Sequence, residues 1–202
     1  MNPLIVAGYL VGAFVFGSVP FSYLVARATS GADLRRVGTG TVSGSGVGVA
    51  SGFWPMAAAG LLDIGKGAAV VAPMVGSHPV LAAVGAGVAA VGHNWSLFLR
   101  GAGGRAISIA LGATLVMAWP GTVVLGLGMG VGRLLHNTGI GSVISQAALP
   151  LVLGITDGKA GLFLGLFLMV PMWAKRIMGN APPPQRTARV YVCRLLRDRD
   201  PG

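Results

Sequence analysis

MNPLIVAGYLVGAFVFGSVPFSYLVA, residues 1–26, carries no charged side chain and is long enough to cross a bilayer. It lacks a basic n-region and an A-x-A-like cleavage site, so it reads as a retained span and not as a signal peptide. The remaining sequence supports a membrane bundle. Of 202 residues, 53% are hydrophobic and 10% charged, against about 25% charged in soluble domains. Cys193 is the single cysteine, which excludes an internal disulfide and a thiolate cluster. A net charge of +10 would suggest nucleic acid in a soluble domain. In a membrane protein it reports topology and anionic lipid, so membrane lipids are expected as partners and nucleic acid is not.

A spanning helix needs roughly 20 apolar residues. Runs near 3–26, 53–75, 79–99, 106–119, 121–135, 140–156 and 160–177 supply seven candidates. The fourth and fifth are short and could form one hairpin broken at Trp119-Pro120-Gly121, because proline stops a helix. With the N-terminus outside, Arg27, Arg35, Arg36, Arg100, Arg105, Arg133, Lys175, Arg176, Arg186, Arg189, Arg194, Arg197 and Arg199 all fall inside. Only Lys66, within a span, and Lys159, in an outer loop, escape that side, as the positive-inside rule requires. The expected fold is therefore all-α integral membrane, with seven helices, N-terminus out and C-terminus cytoplasmic. Residues 1–179 form the transmembrane domain, and residues 180–202 form a basic cytoplasmic tail on the inner leaflet of the cell membrane. Glycine pairs four apart, at Gly8/Gly12, Gly126/Gly130, Gly128/Gly132, Gly154/Gly158 and Gly161/Gly165, are expected to bring helix backbones together.

Three inner segments concentrate polar groups. DLRRVGTGTVSGSGVG (33–48) joins Arg35 and Arg36 to a loop of Gly38, Thr39, Gly40, Thr41, Ser43 and Ser45. Such a loop can aim several amides and hydroxyls at one anion, and arginine pairs well with phosphate. GHNWSLFLRGAGGRA (92–106) sets Gly101, Gly103 and Gly104 before Arg105 at a helix start, another phosphate-binding arrangement. HNTGIGS (136–142) offers His136 and Ser142. Asp63 and Lys66 share one face of the second span, where ionisable groups mark either function or a neutralised packing pair. His93 ends the third span as a hydrogen-bonding anchor or a site residue. The sequence contains no Glu, no Ser-His-Asp order and no cluster with metal-ligand spacing. Chemistry here would rest on positioning and electrostatics, without cofactor or metal.

GSVPFSYLVAR (17–27), DLRRVGTGT (33–41), LLDIGKG (61–67) and GHNWSLFLRGAGGRA (92–106), in that order and spacing, resemble the bacterial membrane glycerol-3-phosphate acyltransferases of the PlsY type. The resemblance implies seven spans and transfer of a fatty acyl group from acyl phosphate to the 1-position of glycerol 3-phosphate, giving lysophosphatidate. It also implies that Arg35, Arg36, Gly38, Gly40, Thr41, Ser43, Ser45, Gly103, Gly104 and Arg105 hold phosphate, with Arg105, Thr39 and Ser142 at the reacting groups and His93, Asp63 and Lys66 in support.

The motifs diverge from the family pattern. The first motif of the family reads roughly G-S-G-N-x-G-A-T-N. Here Thr39, Thr41, Ser45 and Gly46 stand for its Ser, first Asn, Thr and second Asn, and Val49 stands where an arginine follows. In the second, G-F-K-G-G-K-G, Ala102 replaces the first Lys and Arg105 the second. In Gly139-Ile140-Gly141-Ser142 one of two hydroxyls remains, and Val170 and Trp173 occupy the places of a His and an Asn before Lys175 and Arg176. Three readings stay open: a divergent acyltransferase, a non-catalytic homologue that binds phospholipid or a membrane partner, and a small transporter lined by Asp63, Lys66 and His93. Oligomeric state leaves no mark in the sequence.

Overall fold

The first apolar run is not one helix. In the computed structural model, which describes residues 1–183 and 185–197, it divides into α1 (Pro3–Ser18) and α2 (Phe21–Ser30). Pro20 causes the break: it lacks an amide proton and forces the preceding residue out of the helical region, and Val19 accordingly has ψ 117°. The Gly/Ser segment is also not wholly a loop, since residues from Gly44 onward wind into α3 (Gly44–Ser51). Gly52, at φ +86°, separates α3 from α4 (Phe53–Val71). Then follow α5 (Pro79–Asn94), α6 (Ile107–Met117), α7 (Trp119–Leu134), α8 (Thr138–Thr156), α9 (Gly158–Met178) and α10 (Ala188–Arg197).

Each of the other six expected spans coincides with one helix. Among the described residues, the stretches long and apolar enough to cross a membrane are Pro3–Ser30 taken across its break, Pro79–Leu99, Thr138–Thr156 and Gly158–Met178, with Ile107–Met117 a shorter apolar helix. The short fourth and fifth segments are two helices. They part at Ala118 (φ −160°), one residue before the expected break, because Pro120 sits in the first turn of α7, where its missing N–H costs nothing. Thr114 and Thr122 close this tight corner through a 2.9 Å hydroxyl pair.

The packing follows α1 on α5, α4 on α6, α5 on α9, α7 on α8 and α8 on α9. Small residues set those approaches, but not always the expected pairs. Gly128 and Gly132 lie against α8, and Gly161 and Gly165 against the backbone of Leu153 and Pro150. Gly8, Gly12, Gly126 and Gly130 touch no neighbouring element, Gly158 is a turn residue at φ +63°, and Gly154 only meets the Leu162 side chain. The closest approaches fall at Gly67 and Gly112, between α4 and α6, and Gly17 and Gly92 bring α1 and α5 together in the same way. Spacing alone does not say which face of a helix meets a partner. Ala82, Ala83, Ala86, Ala89 and Ala90 make α5 the buried centre of the bundle.

The segments after α2, α5, α7 and α9 meet at one end of the bundle. Val42 N–H donates to Gly103 O (3.1 Å) and Arg176 to Gly139 O (3.4 Å). The chain beyond α9 returns over this end, and α10 packs on α8 and α9 with Val190 and Arg194 buried. Arg199, counted above among the inner charges, lies outside the described residues.

Candidate functional site

Beneath the gathered loops sits a buried ion pair. Lys66 Nζ lies 2.9 Å from Asp63 Oδ1, and neither residue is more than 1% exposed. Lys66 also donates to the carbonyls of Gly17 (3.1 Å) and Val19 (2.6 Å), which the Pro20 break leaves without helical partners. Ser22 Oγ, in the first turn of α2, donates to Asp63 Oδ2 at 2.7 Å. The pair therefore fastens α4 to both sides of the α1–α2 break. His93 Nδ1 completes the cluster, 3.3 Å from Lys66 Nζ, and the far edge of the ring abuts Gly104, where a Cβ would collide with Nε2. None of the three lines the cleft above, and only His93 reaches its floor.

That cleft has a volume of about 260 Å³, between the loop following α2, the turn before α6, the end of α9 and the face of α10. Thr39, Thr41, Gly104, Arg105, Lys175, Arg176, Gly179, Asn180 and Arg194 line it, and among the described residues no carboxylate does. Gly38 (φ +55°) and Gly40 (φ +69°) shape its rim: both lie in the left-handed region that glycine tolerates, and Gly40 N–H closes a turn onto Val37 O at 3.0 Å. Thr39 and Thr41 share a hydroxyl hydrogen bond of 2.9 Å, and Arg105 donates to Thr41 Oγ1 at 2.8 Å. Burial, with the charge of Arg176 second, pulls the Arg105 guanidinium down to about 9. It remains charged at neutral pH. Lys175 reaches Gly101 O (3.2 Å) and lies over the Trp95 ring, while Arg176 donates to Leu195 O (3.0 Å).

Four side chains with cationic character thus crowd one opening, and a site built this way takes an anion with more than one negative oxygen. Three of the glycine amides expected to form a nest are engaged within the protein. Gly103 N–H is held by Asn180 Oδ1 (3.1 Å), Gly104 N–H by His93 O (3.1 Å) and Gly40 N–H by Val37 O.

Of the residues expected from sequence, Thr39, Thr41, Gly104 and Arg105 come together in the cleft, with Gly38, Gly40 and Gly103 supporting its wall. Arg35 does not enter. It is tied to Asp33 by a 2.7 Å ion pair and lies over the Tyr23 ring at 5.5 Å, and its guanidinium holds the Asp33 carboxyl down at about 2. Arg36 is exposed at the periphery, and Ser43 and Ser45 bond one another (3.0 Å) at the start of α3, outside the cleft. Ser142 is 3% exposed within α8 and accepts from Gln146 Nε2 (2.9 Å). It does not line the cleft.

Sequence reading missed Asn180 as well as the inward use of Lys175, Arg176 and Arg194. Asn180 Nδ2 donates to Gly40 O (2.8 Å) and Gly103 O (2.9 Å), joining the first and second glycine-rich segments to the end of α9. The one signal available was its position, an amide side chain directly after the helix-ending Gly179.

A sequence profile described as glycerol-3-phosphate acyltransferase matches residues 7–179. Glycerol-3-phosphate acyltransferase 5 of Dehalococcoides mccartyi is 34% identical over 96% of this chain and 87% of its own length. The glycerol-3-phosphate acyltransferase of Synechococcus sp. strain CC9902 is 34% identical over 86% of each. Among solved structures, the glycerol 3-phosphate form of PlsY (YgiH), an integral membrane glycerol 3-phosphate acyltransferase, superposes with a TM-score of 0.77 at 20% identity, covering 85% of this chain and 88% of that one. Its lysophosphatidic acid form gives 0.74 at 18% identity.

Proposed function

Because the chain belongs to the glycerol-3-phosphate acyltransferase family, we propose that this membrane protein esterifies glycerol 3-phosphate in the cleft bounded by Thr41, Arg105 and Lys175, with acyl phosphate as the donor. The observation that supports this site most strongly is its charge: Arg105, Lys175, Arg176 and Arg194 line it, with no carboxylate among the described residues. Two phosphate-bearing substrates brought together would otherwise repel one another, and fixed cations offset that repulsion.

In this reading the 1-hydroxyl oxygen of glycerol 3-phosphate attacks the acyl phosphate carbonyl carbon. The new C–O ester bond forms, the bond from that carbon to the phosphate oxygen breaks, and inorganic phosphate leaves with the electron pair. The hydroxyl proton passes to a substrate phosphate oxygen, so the cleft needs no protein carboxylate as base. Arg105, steered by Thr41, faces the charge that develops on the carbonyl oxygen, and Lys175 and Arg176 hold the phosphates. The basic loops orient this end toward the cytoplasm of the cell membrane.

The test supplies palmitoyl phosphate and glycerol 3-phosphate to purified protein in detergent, following phosphate release and lysophosphatidate together. Coupled formation of both products, dependent on both substrates, is expected. Turnover with acyl-CoA in place of acyl phosphate would overturn the donor assignment. No turnover from folded protein that still binds phosphate would favour a scaffold without the reaction.

A further inference from the structure

The family match ends at residue 179, yet the cleft does not. Its remaining wall is the segment 180–183 and α10, which begins at Ala188. Arg194, 6% exposed, turns its guanidinium onto this segment. Nη1 donates to Met178 O (2.9 Å) and Ala181 O (3.2 Å), and Nη2 donates to Pro182 O (3.3 Å). These three carbonyls bracket Gly179 and Asn180, and Asn180 in turn bonds Gly40 and Gly103. The end of α10 also takes hold of the cleft directly: Leu195 O accepts from Arg176 (3.0 Å), and Leu196 O abuts Gly139 at the start of α8.

We propose that α10 is a clamp that completes the phosphate cleft, and that Arg194 is a positioning residue that sets phosphate affinity by fixing the strap carrying Asn180. This deepens the functional reading above and rests on it for the identity of the substrate. The physical logic is preorganisation. Beyond Gly179, whose N–H still donates to Lys175 O, the strap through Pro182 lies outside any helix, and without the guanidinium its ordering would have to be supplied by each binding event. The carbonyls are held by a charged planar donor that reaches several acceptors at once, which lysine cannot reproduce.

The experiment compares Arg194→Ala, Arg194→Lys and, as a control on the exposed face of α10, Arg189→Ala. Each is assayed for turnover of glycerol 3-phosphate and, in the same detergent preparation, for binding of inorganic phosphate by titration calorimetry. Arg194→Ala is expected to raise both KM for glycerol 3-phosphate and Kd for phosphate about tenfold, with kcat changed by less than about twofold. Arg194→Lys recovers part of that loss, and Arg189→Ala leaves both values unchanged. Should Arg194→Ala fail to fold, Arg194→Lys decides: a raised KM and Kd at unchanged kcat supports the clamp, and unchanged values overturn it. A fall in kcat alone, or an equal effect from Arg189→Ala, also overturns it. If wild-type protein binds phosphate but forms no lysophosphatidate, the acyltransferase reading fails on its own, and the Kd series still decides the role of Arg194.

Discussion

Replacing Lys66 with Met separates two accounts of the buried pair, one in which it holds the bundle together and one in which it takes part in chemistry. Lys66→Met keeps the length of the side chain but leaves Asp63 as a buried carboxylate with only Ser22 for support, and it frees the carbonyls of Gly17 and Val19. Removing one member of a buried ion pair costs about 3–5 kcal/mol. For a chain of this size that corresponds to a fall in Tm of about 6–20 °C. Replacing both residues, as Asp63→Leu with Lys66→Met, removes the unpaired charge and should recover most of the loss. The recovery remains incomplete because Gly17 O loses its donor, while Val19 O keeps only the N–H of Phe21, a residual cost of about 1–3 kcal/mol. Tm is read from tryptophan fluorescence in detergent, alongside turnover at a temperature well below the lower transition. Structural capping predicts that kcat per folded molecule of the double variant stays within about threefold of wild type. A Lys66→Met protein with wild-type Tm and no turnover would refute this reasoning and move the pair into the chemistry.

Arg105→Ala should lower kcat/KM for glycerol 3-phosphate by about 100-fold, as expected when a donor facing the developing oxyanion is lost, with Arg105→Lys falling between it and wild type; full activity in the alanine variant would remove Arg105 from the site. Gly104→Ala drives a Cβ into His93 Nε2 and to 2.7 Å from Val42 O, so activity should be lost and stability lowered by about 1–3 kcal/mol, measured as turnover and Tm together. Ser142→Ala, outside the cleft, should keep kcat within about twofold; a loss greater than tenfold would return that hydroxyl to the mechanism.

Much of the helical frame was legible because apolar runs and arginine asymmetry are properties of single segments. The interruption at Pro20 was written in the sequence too, but its consequence was not: nothing local indicates that Lys66 supplies the donors missing 47 and 49 residues earlier. Glycine pairs misled for a related reason. The Gly8/Gly12 spacing is equal to that of Gly128/Gly132, and only the three-dimensional arrangement decides which face meets another helix. Within the candidate site, Thr41 and Arg105 stood in recognisable motifs. Arg35 was drawn away by Asp33, two residues before it, a pairing available to any exposed Arg-Asp neighbourhood. Asn180 and Arg194 stayed hidden because their partners are loop carbonyls, which carry no residue signature.

The hydrogen bond from Asn180 to the Gly40 carbonyl joins residues 140 positions apart. During synthesis the loop bearing Gly40 emerges early and waits while seven further helices, α3 to α9, are made. Contacts of such long sequence separation close late, since each needs the intervening chain to be ordered first. The bundle can therefore be inserted and packed while its cleft is still open. Catalytic competence is then a property acquired in the final stage of biogenesis, and any event that releases the chain early leaves a stable membrane protein without a finished site.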